Sequence, residues 1–428
     1  MITFDLKTLP DWETLAQGKC ILQIVARAEN LIDSNKSDPI EFEVLPDYLC
    51  FTAEEAGSTV AMTVKGTPTK GQAFETSTDG TNWSVFTPKT TTITLANAGD
   101  KVYFRGDNTT VSESSSIYYN FVMSGKIAAS GNIMSLLDTT CKSTTISNDY
   151  CYYYMFRGCT SLTTAPALPA TTLAMFCYSY MFSGCTSLTT APALPATTLA
   201  RDCYRSMFSG CKSLTTAPAL PVTTLASGCY YSMFSGCTSL TTAPALPATT
   251  LAMFCYSYMF SGCTSLTTAP ALPATTLANS CYNSMFEGCT SLTMAPALPA
   301  TTLATFCYSY MFRGCTSLTT APALPATTLA NSCYNYMFRG CRSLTTAPAL
   351  PATTLASNCY SYMFRDCTSL RVYSSSGTGH TKAWRIPTSG SASSYTSQSN
   401  MFYNCPGSYK TTNSVSLNRI FYTQNTPV

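Results

Sequence analysis

The chain is 428 residues long, carries a net charge of +3, and only 11% of its residues are charged. Charge that sparse and balanced excludes an electrostatic grip on nucleic acid, while the length leaves room for two or three domains. No run of 18 apolar residues occurs, so no membrane insertion is expected. The opening MITFDLKTLPDWETLAQ lacks the basic start and apolar core of a secretory signal.

In chain order, residues 1–46 contain two alternating strands, Cys20–Ala26 and Ile40–Val44, around the polar stretch Asn30–Ser37. They look like the last strands of an immunoglobulin-like sandwich. Forty-six residues are too few to form one alone, so the segment is expected to dock on another chain or on the next domain. Residues 47–125 alternate in five runs, Val60–Val64, Phe74–Ser77, Trp83–Phe86, Thr92–Leu95 and Val102–Phe104, with Asp79-Gly80 as the sharpest hairpin cue. They predict a small antiparallel β-sandwich. Residues 126–150, with Ile133, Leu136 and Leu137, are expected to cap the repeats that begin at residue 151.

From Cys151 the chain repeats itself. Cys151, Cys177, Cys203, Cys229, Cys255, Cys281, Cys307, Cys333 and Cys359 open nine copies of a 26-residue unit, and Met401, Phe402 and Cys405 echo it a tenth time. A fixed period of this length predicts a solenoid. Within one unit Ala174, Cys177, Tyr178, Met181, Phe182 and Cys185 fall at offsets 0, 3, 4, 7, 8 and 11, the stripe of an amphipathic helix. Thr171 or Thr172 would cap its start. Gly184, replaced elsewhere by Asp366 and Asn404, sits where a left-handed residue closes the last turn.

Leu188, Ala191 and Ala193 read as the inward positions of a short leucine-rich-repeat strand, with Pro192 removing one amide hydrogen. The expected architecture over residues 151–405 is therefore an α/β solenoid with one short strand and one helix per coil, preceded by an all-β, immunoglobulin-like N-terminal region. It should curve, because packed helices need about 8–10 Å and paired strands about 4.8 Å. Rows of identical side chains would fill the core, each coil covering the apolar face of the one before. Leu370–Pro387 is a stretched copy carrying a small-residue loop around His380, and residues 406–428 are expected to seal the last coil.

The CYxxMFxGCTSLTTAPALPATTLA unit resembles the leucine-rich repeats of the BspA type, found in bacterial surface proteins and in virion proteins of phages that infect gut bacteria. The resemblance covers residues 127–405, and Ser77–Trp83 and Ala129–Leu137 are similar to segments that accompany such repeats in phage tail or fibre proteins. It implies adhesion or surface display without a shared reactive site. Joined to an opening that would suit a protein released by lysis, it implies a non-enzymatic virion structural protein: a phage tail, fibre or head appendage. A bacterial cell-surface adhesin is the alternative. The implied partners are other virion proteins, through residues 1–46, and a host-surface glycan or protein; a homo-oligomer is left open.

Catalytic chemistry finds little purchase in these residues. His380 is the sole histidine, so no Cys-His or Ser-His pairing has its partners. Residues 151–370 hold three acids, Asp202, Glu287 and Asp366, too few and too scattered for paired-carboxylate chemistry. No catalytic residue, cofactor or metal site is expected. Of 22 cysteines, 18 are the two repeat positions, with no CxxC among them; that spacing suits packing better than metal ligation or pairing in disulfides. A binding surface is written instead at the variable positions. Arg313, Arg339 and Arg365 share one phase in three consecutive units, as does Arg157 in the first. Tyr180, Tyr258, Tyr310, Tyr336 and Tyr362 share another, and His380 stands in the insertion. Either row also suits plain helix chemistry, a cation at a helix C-terminus or ring packing.

Overall fold

The computed structural model describes residues 18–22, 40–44, 46–379, 381–385, 389–390, 400–408, 410 and 420–424. Near the N-terminus β1 (Gly18–Leu22) pairs antiparallel with β2 (Ile40–Val44), Gly18 opposite Val44. The docking surface expected on residues 1–46 falls mostly outside the described residues.

Two antiparallel groups of strands come next. One contains β3 (Leu49–Ala53), β5 (Phe74–Ser77), β6 (Ser84–Phe86), β8 (Lys101–Arg105) and β10 (Ile127–Ser130); the other contains β4 (Ser58–Lys65), β7 (Thr92–Leu95) and β9 (Tyr118–Ser124). Alternation explains their faces: Leu49, Phe51 and Ala53 of β3 and Val60 and Met62 of β4 point inward and are buried. Phe51 lies edge-on to Phe104 at 5.5 Å and to Phe121 at 4.9 Å, and it reaches Phe156 of the first repeat at 6.1 Å. The first repeat also extends the larger sheet, because β11 (Leu162–Thr164) pairs in parallel with β10.

Beyond this point the α/β solenoid expected from the sequence is not what the chain builds. Among the described residues the one helical element is a short 3₁₀ turn, Ile133–Leu136, capped by the Asn132 side chain. The stretch with the helical stripe is a run of tight turns. Phe176, Tyr180 and Gly184 have φ of 56°, 57° and 77°, so every fourth residue is left-handed, and the same phase recurs from unit to unit. An α-helix admits no such residue. The stripe misled because inward pairs at offsets 3–4 and 7–8 fit a period of 4 as well as one of 3.6.

The amides show what replaces the helix. Tyr178, Tyr180, Phe182 and Gly184 donate to the carbonyls of Cys203, Arg205, Met207 and Ser209 in the next unit, at 2.7–3.0 Å. Ser179, Met181, Ser183 and Cys185, between them, donate three residues back within their own turn, at 3.0–3.2 Å. Half the amides close turns and half tie one unit to the next. Gly184, Asp366 and Asn404 do take the left-handed backbone expected of them, with φ of 77°, 65° and 63°. Thr172 caps no helix; it bridges Thr145 and Thr198.

In the units that follow β11, from Thr190 to Thr346, the expected strand shrinks to single bridges. Thr190 pairs with Thr216, Thr216 with Thr242, and so on through Met294 to Thr346. Pro192 has no amide hydrogen to extend the pairing. With no packed helices to hold the units apart on one side, the spacing mismatch behind the expected curvature does not arise.

The inward rows are as regular as the backbone. Cys177, Tyr178, Met181, Phe182, Cys185 and Leu188 are fully buried. Rings in the row from Tyr152 to Tyr360 stack on their neighbours at 5.7–6.0 Å. Those from Phe156 to Phe402 stack at 5.3–5.7 Å. Both spacings suit offset aromatic stacking. Phe121 of β9 is the first rung of the phenylalanine row, 5.3 Å from Phe156, and its amide donates to Met155 as a repeat residue would. At the far end Phe364 donates to Met401 and stacks on Phe402, so the tenth echo takes the place of a further unit.

Replacing one rung should open a void that the units on either side cannot close. Phe260→Ala is expected to cost about 3–5 kcal/mol, read as a lowered denaturant midpoint. Far-UV circular dichroism of parent and variant should lack the helical double minimum; a strong helical spectrum would contradict the turn assignment.

Candidate binding face

Two cysteines recur in every one of the nine units. All 21 cysteines from Cys50 to Cys405 are free thiols. The second cysteine of each unit makes one recurring bond. Cys185 Sγ donates to the carbonyl of Phe156 at 3.0 Å, and Cys211, Cys237, Cys263 and later members do the same one unit on at 3.0–3.1 Å. Cys159 makes this bond to Phe121 of β9 and Cys405 to Phe364. Burial pushes the Cys263 thiol up to about 12, and Cys141, near the carboxylates of Asp138 and Asp47, is raised as far, again chiefly by burial. Such thiols are poor nucleophiles at neutral pH. No group of three or more His, Cys, Asp or Glu among the described residues is arranged to hold a metal ion.

The arginine and tyrosine phases lie on the outward side of the turns. Tyr310, Tyr336 and Tyr362 stack face to face at 4.7 and 4.4 Å, each from a left-handed position. Arg313, Arg339 and Arg365 each sit 5.5 Å from the ring three residues before them. The acids are shared across units: Arg313 pairs with Glu287 at 3.1 Å, and Arg339 and Arg365 both reach Asp366, at 3.4 and 3.5 Å. Arg313 and Arg339 thus find their acids in neighbouring units and Arg365 finds one in its own, in place of the helix C-terminus expected from the sequence.

Beside this row runs an open groove of about 450 Å³, lined by Arg313, Arg339, Arg342, Asp366 and Asn404 among others. Sequence reasoning missed Arg342; it lies three residues beyond Arg339 in a unit whose counterparts carry Thr or Lys, which is the one signal that marks it. Arg365 does not line the groove and leans on Tyr403 at 4.9 Å. Tyr180 and Tyr258 belong elsewhere. Tyr180 packs on Tyr154 and its hydroxyl accepts from Arg205 Nε at 3.3 Å, while Tyr258 leans on Tyr231. His380 is outside the described residues.

Asp79, at the hairpin cue of the strand region, is engaged in its own turn. Asp79 accepts from the Asn82 and Thr81 amides, the Asn82 side chain and Ser77, bonds that hold its carboxyl below the usual carboxylate range. Glu54 and Glu55 are exposed on a turn.

A sequence profile described as the BspA type leucine rich repeat region matches the chain over residues 138–245, 206–324 and 301–381, with six copies. Comparison with curated proteins and with solved structures returned no match.

The thiol assignment is open to direct measurement. Alkylation of the unfolded chain without reductant should add 22 adducts by intact mass, one for each cysteine in the sequence. In the folded protein the repeat cysteines should stay unmodified. A shortfall in multiples of two in the unfolded sample would reveal disulfides between units.

Proposed function

The chain belongs to the BspA-type leucine-rich-repeat family, and from that membership we propose that it is a non-enzymatic scaffold for adhesion that presents a polar, aromatic face to a cell surface. The observation that carries this reading is the stacked row Tyr310, Tyr336 and Tyr362 with arginines in step beside an open groove. Rigid amphipathic rings with adjacent cations are good contact residues for glycans and proteins. Thiols sealed in the core, and acids held in ion pairs along the arginine row, support recognition as the use of this face.

Within that reading, the scaffold is a phage tail, fibre or head-appendage protein, joined to other virion proteins through residues 1–46. The likeness of Ser77–Trp83 and Ala129–Leu137 to segments that accompany these repeats in phage proteins supports it. Purified virions analysed by mass spectrometry should contain the chain; recovery only from a bacterial envelope fraction would place it on the cell surface instead.

The face itself is tested by the triple variant Arg313→Ala, Arg339→Ala, Arg365→Ala on a glycan and cell-binding panel. Binding should fall by about tenfold or more, while thermal stability changes little, because partly exposed ion pairs contribute at most about 1 kcal/mol each. Unchanged binding would move the contact surface away from this row.

A further inference from the structure

The larger of the open grooves lies at the other end of the array, where β4 and β9 meet the first unit. It has a volume of about 580 Å³ and is lined by Lys65, Tyr118, Asn120, Arg157, Thr63 and Ser183, with Val64, Gly158 and Gly184 completing it. That volume is within the range of small-ligand sites. No acid lines it.

The groove beside the Arg313 row holds Asp366 among its arginines, whereas the charged residues lining this one are cations alone. Arg201, Arg205, Arg313, Arg339 and Arg365 each pair with an acid. Among the described residues Arg157 and Lys65 have no such partner, yet both line the same groove and both are exposed. Two cations brought together without an anion repel. In a chain with so few charges, that convergence is an unbalanced arrangement that a bound anion would balance.

The site is also held in shape. Lys65 lies opposite Tyr118 in the β4–β9 register. Tyr118 meets Tyr154 edge to face at 4.8 Å, and Arg157 lies 4.5 Å over Tyr154. Asn120 Nδ2 donates to the carbonyls of Tyr154 and Arg157, the latter at 3.0 Å, fixing the turn that carries the arginine against β9. The groove therefore joins two cations, the Tyr118 ring and the hydroxyls of Thr63 and Ser183 on elements bonded to one another.

We propose that this groove binds an acidic saccharide, a sugar bearing a carboxylate or phosphate, with Lys65 and Arg157 on the anion, the Tyr118 ring against the sugar's C–H face, and Thr63 and Ser183 on its hydroxyls. The site is separate from the Arg313–Arg339 groove and stands or falls independently of it.

The test uses the full chain at low ionic strength, titrated with glucuronate, glucose 6-phosphate, inorganic phosphate and glucose and followed by calorimetry. Glucuronate or glucose 6-phosphate should bind, glucose far more weakly. Lys65→Gln with Arg157→Gln should weaken that binding by about tenfold or more with an unchanged melting curve, since both side chains are exposed. The triple variant at Arg313, Arg339 and Arg365 should bind these probes as the parent does, and Arg157→Lys should retain more affinity than Arg157→Gln. Undiminished binding in the Lys65 and Arg157 double variant, or no binding of either acidic sugar, overturns the site. Inorganic phosphate binding as tightly as both sugars overturns the saccharide assignment.

Discussion

Everything in the repeat region depends on the division of labour among its amides. One amide closes a tight turn within its unit, the next bonds to a carbonyl of the following unit, and the alternation continues from Tyr178 through Cys185 and in the same phase in later copies. Neither half is stable alone. Turns with a left-handed Tyr, Phe or Ser every four residues carry a backbone cost of roughly 1–2 kcal/mol each, and nothing in an isolated unit offsets it. The neighbour does, through the crossing hydrogen bonds, the burial of six side chains per unit and the stacked rings. Stability in this part of the chain is a property of contacts between units.

The same constraint explains the cysteines. A carbonyl such as Phe156 O accepts from the Cys159 amide within its own turn and has a second lone pair facing the core. Only a small donor fits between stacked rows, and the Cys185 thiol supplies one without the desolvation penalty of a hydroxyl. The spacing suggested packing; the geometry adds a weak, buried donor repeated along the array. The first and last rungs use the same bond, to Phe121 and from Cys405, so β9 serves as the surface on which the first unit is laid.

Much of this was legible in the residues. The period of 26 set the unit, the rows of like on like followed from it, and the exchange of Gly184 for Asp366 and Asn404 marked a left-handed corner. The helix was not legible as wrong. A stripe at 0, 3, 4, 7, 8 and 11 is shared by a 3.6-residue helix and a four-residue turn, and the residue that separates them is Tyr180 or its serine counterpart, held at positive φ by a neighbour that sequence alone does not show. The arginine and tyrosine phases were readable as rows, but their ion pairs run across units, Glu287 to Arg313 and Arg339 to Asp366, and so required knowing which residues lie side by side. Arg157 was visible as a member of that phase. Its place beside Lys65, from a strand far away in sequence, was not.

The outward bonds of each unit have a consequence for how such a chain can change. A unit presents to its successor the same carbonyls and the same rings that it meets in its predecessor, and segments such as Met175–Cys185 and Met253–Cys263 are identical. Unequal exchange between the DNA copies that encode them would remove or add whole rungs while leaving the backbone bonds and stacked core rings of each seam the same. The length of the array is therefore free to drift over generations without a penalty in folding, and its reach can be selected separately from the side chains that decorate it.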